Sequence, residues 1–179
     1  MHRIVSGITT LNQHVETLFH TPEVYRPHAC PHCGLNSLWR HGCYHRKADR
    51  GSPICNKLNP VPIPRFCCPG CRHTCSRLPA CIAPRRWYGW EIQQQALLML
   101  LAGYSLHGAS LVTQPCRRTI RRWWQWLAAH SGDFGFHLRS RFPELGRAPG
   151  WMAFWRACLG CMTLSDAMAW LDRNGVSVP

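Results

Sequence analysis

The chain has 179 residues, 46% of them hydrophobic, and carries 21 basic against 8 acidic side chains for a net charge of +13. That suits one domain or two small ones. The longest apolar run, Ala96 to Ala102, is too short to cross a bilayer and argues against a membrane protein. Nineteen of the basic residues are arginine, whose planar fork fits phosphates and guanine edges, so the charge points to a polyanionic partner, nucleic acid first. Twelve cysteines would also suit a disulfide scaffold. No apolar leader opens the chain, Cys67 and Cys68 are adjacent, and the x-x spacing is that of metal ligands, so a reducing cytoplasm is expected.

In chain order, Leu11, Val15, Leu18 and Phe19 fall at helical spacing and predict a short amphipathic helix that buries this stripe and ends at Thr21-Pro22. From Cys30 to about Pro84, repeated prolines forbid long helices, and short strands are expected near Leu38–His45 and Val61–Phe66. Glu91 to Ala102 reads as a helix stopped by Gly103. Ser105 caps a second helix, Leu106 to Val112, and a turn at Thr113–Cys116 leads to a third, Arg117 to Ala129. Ile120, Trp123 or Trp124, and Leu127 form the buried stripe of the third. Ser131 to Gly150 reads as an irregular connector. Trp151, Phe154, Trp155, Cys158 and Leu159 then repeat at helical spacing. Thr163 and Asp166 suggest a capping box for a last helix that reaches Arg173 and stops at Gly175. The expected fold is α+β, mostly α. Residues 1–29 form a helical segment, 30–84 a ribbon of short strands, 85–130 a helix-turn-helix, and 131–179 a connector with a helical pair.

Two knuckles, Cys30-Pro31-His32-Cys33 and Cys68-Pro69-Gly70-Cys71, carry the clearest chemistry. A two-residue spacer lets one tight turn aim two soft thiolates at one ion, and two such turns complete the tetrahedral set that zinc prefers. Cys30, Cys33, Cys68 and Cys71 are therefore the expected ligands of one structural Zn2+; an iron site of the rubredoxin kind uses the same four. Cys67 competes with Cys68, which alone gives the x-x spacing to Cys71. Cys43, His45, Cys55, His73 and Cys75 offer a less favoured second site, and Cys158 with Cys161 reads as packing.

Segment 40–86 holds ten basic residues against one acid, Asp49. Arg40, Arg46, Lys47, Arg65, Arg85 and Arg86 are the expected phosphate grips there. In a helix-turn-helix the last helix enters the major groove by its N-terminal residues, here Arg117, Arg118, Thr119, Arg121 and Arg122.

Several of these stretches resemble the zinc ribbon and helix-turn-helix that open many bacterial insertion-sequence transposases. They are Cys-Pro-His-Cys-Gly at 30–34, Arg-His-Gly-Cys-Tyr-His-Arg at 40–46, Ile-Pro-Arg-Phe-Cys-Cys-Pro-Gly-Cys at 63–71, Ser-Arg-Leu-Pro at 76–79, Gly-Tyr-Ser at 103–105 and Arg-Arg-Thr-Ile-Arg-Arg-Trp at 117–123. The layout is also similar to the small zinc-finger companion proteins of some insertion sequences, and to a bacterial zinc-ribbon family of unassigned function. The resemblance covers about 25–130 and implies binding to double-stranded DNA. It does not extend to strand transfer, which needs convergent carboxylates; the eight acids are scattered, and no enzyme is expected. The leading expectation is a nucleoid-associated DNA-binding accessory or regulatory protein of a mobile element. An RNA-binding zinc protein, and an adaptor that docks a transposase or forms a homodimer, are the alternatives.

Overall fold

The computed structural model describes residues 3–47, 60–84 and 88–178. The fold is α+β and mostly α. The chain divides into two compact units: one runs through Gly89 and takes up the chain again from Asp172, and the other is Trp90–Leu171.

The first unit is built around short strands because its prolines interrupt helical hydrogen bonding. β1 (Ile4–Val5) pairs in parallel with β5 (Leu78–Pro79). β2 (Trp39–Arg46), β3 (Val61–Cys67) and β4 (Thr74–Cys75) form an antiparallel sheet in the order β2-β3-β4. Both faces of β3 are covered. Val61 and Ile63 pack with Leu78 and Ile82, whereas Phe66 packs with Tyr25, Leu38 and Cys68.

α1 (Leu11–His20) opens with a full capping box between Thr10 and Gln13. Its buried stripe differs from the expected one. His14 is fully buried between half-buried Leu11 and Leu18, while Val15 is exposed and Phe19 is 83% exposed. The reason is hydrogen bonding that hydropathy does not register. The Pro62 carbonyl can only accept, so His14 Nε2–H donates to it at 2.9 Å, and Nδ1 therefore accepts the Tyr25 hydroxyl at 2.5 Å. Burial holds this imidazole below its usual pKa of 6.5 and keeps it neutral.

The chain's return to the first unit is fastened by Asp172. Its carboxylate accepts the Arg3 N–H at 2.7 Å and the Ile4 N–H at 2.9 Å, and Val176 and Val178 are buried beyond it.

The second unit is helical: α2 (Trp90–Leu101), α3 (Leu106–Thr113), α4 (Arg117–Arg141), α5 (Gly150–Cys161) and α6 (Leu164–Arg173), whose last two residues already belong to the first unit. α2, α3 and α4 pack against one another. Gly103, at φ +94°, lets the Gly103 and Tyr104 N–H groups close the end of α2, and Ser105 caps α3 through the Gly108 N–H at 3.0 Å. The expected connector at 131–150 is largely helix. α4 continues for 25 residues to Arg141, and a 3-10 turn follows at Pro143–Arg147. Gly132 and Gly135 do not break it, because the apolar stripe Ile120, Trp123, Leu127, Phe134 and Leu138 keeps one face buried throughout. Gly135 is itself buried; a Cβ there would lie 3.9 Å from the Phe154 ring of α5. Trp155 extends the join, donating its indole N–H to the Ser131 hydroxyl at 2.9 Å.

Candidate metal centre and nucleic-acid interface

Each cysteine knuckle folds by the same local rule. In the first, the Cys30 N–H donates to the Leu35 carbonyl at 2.8 Å and the Gly34 N–H returns to the Cys30 carbonyl at 2.9 Å. In the second, the Cys68 N–H donates to the His73 carbonyl at 3.0 Å and the Arg72 N–H returns to the Cys68 carbonyl at 2.8 Å. The residue four places after the leading cysteine takes a left-handed backbone in both, Gly34 at φ +77° and Arg72 at φ +59°. Only the first knuckle supplies the glycine that this conformation favours. Gly34→Ala should therefore destabilise the first unit by about 1 kcal/mol. Arg72→Gly should be close to neutral, relief of strain being offset by a freer unfolded chain. Thermal denaturation of the metal-loaded variants reads both.

The two turns bring their four sulfurs together. Cys30, Cys33, Cys68 and Cys71 place all four thiols within 4.8 Å of one another. The Cys30–Cys71 and Cys33–Cys68 sulfurs are 3.6 and 3.5 Å apart. A disulfide requires about 2.05 Å. Four sulfurs at about 2.3 Å from one ion sit about 3.8 Å from each other, so the spacing fits a single tetrahedral metal. The Cys33 backbone N–H, seconded by that of His32, favours the thiolate of Cys30 and lowers its pKa, whereas burial and the neighbouring thiols raise that of Cys71. Gly70 leaves room for the convergence: a Cβ there would meet Leu35 at 3.2 Å and approach the Cys68 and Cys33 sulfurs to 3.8 and 4.0 Å. Outside the cluster, Cys67 turns its sulfur toward the Cys68 and Arg72 carbonyls at 3.7 and 3.8 Å. The second site considered from Cys43, His45, His73 and Cys75 does not assemble among the described residues, and Cys55 lies outside them. Cys158 is buried, and burial pushes its thiol up to about 12, as expected of a packing residue, whereas Cys161, expected to pack with it, is exposed because it ends the helix.

The expected nucleic-acid contacts divide between the units. In the first, Arg40 and Lys47 are exposed. Arg46 is half-buried and donates to the Ala83 carbonyl at 2.5 Å, and burial holds its guanidinium below the usual range. It is thus anchored rather than a free surface grip. Arg65 is also half-buried, with a buried Nε that has no hydrogen-bond partner among the described residues. Arg85 and Arg86 lie outside the described residues.

In the second unit, Arg117, Arg118, Arg121 and Arg122 are all exposed, while Ile120, Trp123 and Leu127 are buried. Thr119 is half-buried, its hydroxyl 3.3 Å from the Cys116 sulfur. The turn between α3 and α4 has three residues, Gln114 to Cys116, a length that suits helix-turn-helix packing. Gln114 takes the left-handed conformation (φ +73°) that glycine often fills, and the Ser110 hydroxyl ties the turn to α3 through the Pro115 carbonyl at 2.9 Å. Ala109, fully buried, is the small residue at this packing.

One feature was not legible in the sequence. A cavity of about 390 Å³ in the first unit is lined by Arg3, Tyr44, Arg46, Thr74 and Ser76, with His32 and His73 stacked at its edge, ring centroids 3.8 Å apart. Arg3 is far from the others in the chain and is held beside them by Asp172 and by the pairing of β1 with β5, strands of two residues with no periodicity to read. No helix among the described residues is long and apolar enough to cross a membrane. No protein-family model, curated protein or solved structure matches this chain.

Proposed function

We propose that the protein is a sequence-specific DNA-binding accessory or regulatory protein of a bacterial mobile element. In this reading one structural zinc ion is held by Cys30, Cys33, Cys68 and Cys71, and α4 is the reading helix. An all-sulfur tetrahedral set has no open coordination position, so the ion contributes folding energy rather than chemistry, and zinc suits such a set. The protein would act in the cytoplasm, on the nucleoid, without catalysis of its own.

The observation that carries the reading is the charge at the start of α4. Arg117, Arg118, Arg121 and Arg122 all sit in its first turns, exposed, with no acid in the first turn and no side-chain cap hydrogen bond from Cys116. That is the positive end of the helix dipole, where each cation costs about 0.3–1 kcal/mol and an acid would stabilise. Arg117 and Arg118, in the first turn, work against helix stability, Arg121 and Arg122 extend the exposed charge by a turn, and an anionic partner accounts for the cluster. Duplex binding by the Arg118→Glu, Arg121→Glu variant is the test. A second reading, an adaptor that docks a transposase or a second copy of the chain, is favoured by Leu111 and Val112, 74% and 58% exposed on α3. A mass measurement in solution addresses the homodimer.

A further inference from the structure

We infer that the first unit carries its own nucleic-acid surface, the β2 side of its sheet, and that this surface binds an unpaired strand. It does not rest on the reading of α4. β2 is an edge strand, and seven of its eight residues are exposed on both faces, with only Arg46 half-buried. An edge strand so exposed is ordinarily charged or shortened to discourage pairing. Here it also displays rings: Trp39 is 64% exposed and Tyr44 36%.

The register arranges these rings. Trp39 pairs with Cys67, Tyr44 with Ile63 and Arg46 with Val61, and directly paired residues share a face of the sheet. On β3 these partners are separated by even steps, so all lie on one face, where Val61 and Ile63 are buried against Leu78 and Ile82 and half-buried Arg65 lies between Ile63 and Cys67; the exposed part of this face is its β2 margin. Trp39 and Tyr44 are five residues apart and would point to opposite faces of a regular strand. One extra residue between Arg40 and Cys43 brings them together, at a bulge where Gly42 takes φ +70°. The result is a row of Trp39, Arg65, Tyr44 and Arg46, ring and guanidinium in alternation, about 7 Å between neighbours. Tyr44 and Arg46 also line the 390 Å³ cavity, whose lining adds Arg3, Thr74 and Ser76, reaches Cys30 of the metal centre and includes no carboxylate among the described residues.

This alternation suits an unpaired strand. Exposed rings stack on base faces, which a duplex keeps covered, and the exposed Arg40 and Lys47 flanking them along the chain supply cations for the phosphates, Arg46 being tied to the Ala83 carbonyl. The positive lining complements the charge of the strand, and the cavity is in the size range of small-ligand pockets, enough for a nucleotide at the end of the row.

The test is fluorescence anisotropy of the full-length, metal-loaded protein with labelled oligo(dT), labelled oligo(U) and a duplex of the same length, and with thymidine 5′-monophosphate as competitor. Trp39→Ala and Tyr44→Ala should each weaken single-strand binding about fivefold or more, with duplex binding little changed. Tyr44→Phe, which keeps the ring, should bind as the parent does. The tighter of oligo(dT) and oligo(U) identifies the source of the strand, and binding of either supports the inference. Displacement by the mononucleotide would place a nucleotide in the cavity. The Arg118→Glu, Arg121→Glu variant should keep its single-strand affinity, which separates this surface from the duplex reading. Metal content and circular dichroism check the fold of each variant. Parent-like single-strand binding by folded Trp39→Ala and Tyr44→Ala, equal losses on duplex and single strand, or no single-strand binding at low salt would each overturn it.

Discussion

Cys68→Ser should lose the bound metal and unfold the first unit, whereas Cys67→Ser should change neither. The two residues are adjacent and differ in where their sulfurs point. Cys68 is fully buried within the Tyr25, Leu38 and Phe66 cluster, and its sulfur lies 3.5 Å from that of Cys33. Cys67 faces backbone carbonyls instead. Structural zinc contributes ~10–16 kcal/mol to small domains at neutral pH, more than most domains have in reserve. Loss of one of four ligands, in a core that is itself built on the knuckles, therefore removes the fold and not just the ion. Away from such a site, a cysteine-to-serine change costs about 0.5 kcal/mol or less. Native mass spectrometry for the metal ratio and thermal denaturation for the fold read both outcomes. Metal retention by Cys68→Ser, or its loss from Cys67→Ser, would assign the ligands differently.

The second large effect is expected from Arg118→Glu with Arg121→Glu. Both side chains are exposed at the start of α4, so the exchange removes no packing, and glutamate at a helix N-terminus is stabilising. The variant should melt at or slightly above the parent temperature and still lose duplex binding by about a hundredfold or more, through two lost phosphate or base contacts and two new repulsions. If each arginine neutralises one phosphate, the slope of log affinity against log salt should fall by about 0.9 per arginine. Parent-like affinity in the folded variant would remove α4 from the interface. Opposite signs for stability and binding distinguish this result from a damaged fold.

How much the sequence disclosed depended on whether the determinant was local. The Cys-x-x-Cys spacing encodes a turn, and the four-thiol cluster followed from it. Gly103 and Ser105 closed α2 and opened α3 where their chemistry places them, because caps act within one turn. The length of α4 was hidden. Pro143, Gly146 and Pro149 made the whole of 131–150 read as a connector, but the packing of Phe134 and Gly135 against α5, which no window of local sequence contains, carries the helix on to Arg141. The buried face of α1 was hidden for a related reason. Hydropathy placed Val15 and Phe19 inside, but His14 meets the Tyr25 hydroxyl and the Pro62 carbonyl, and those partners lie in other elements. The common face of Trp39 and Tyr44 was hidden by a bulge whose one sequence mark is Gly42.

If a metal-clamped first unit and an arginine-led α4 serve a specific DNA site in a mobile element, selection of bound fragments from genomic DNA that includes the flanks of the gene should enrich the inverted repeats beside it. The Arg118→Glu, Arg121→Glu variant should lose that enrichment. Recovery of fragments without a common sequence, or the same enrichment with the variant, would contradict that reading.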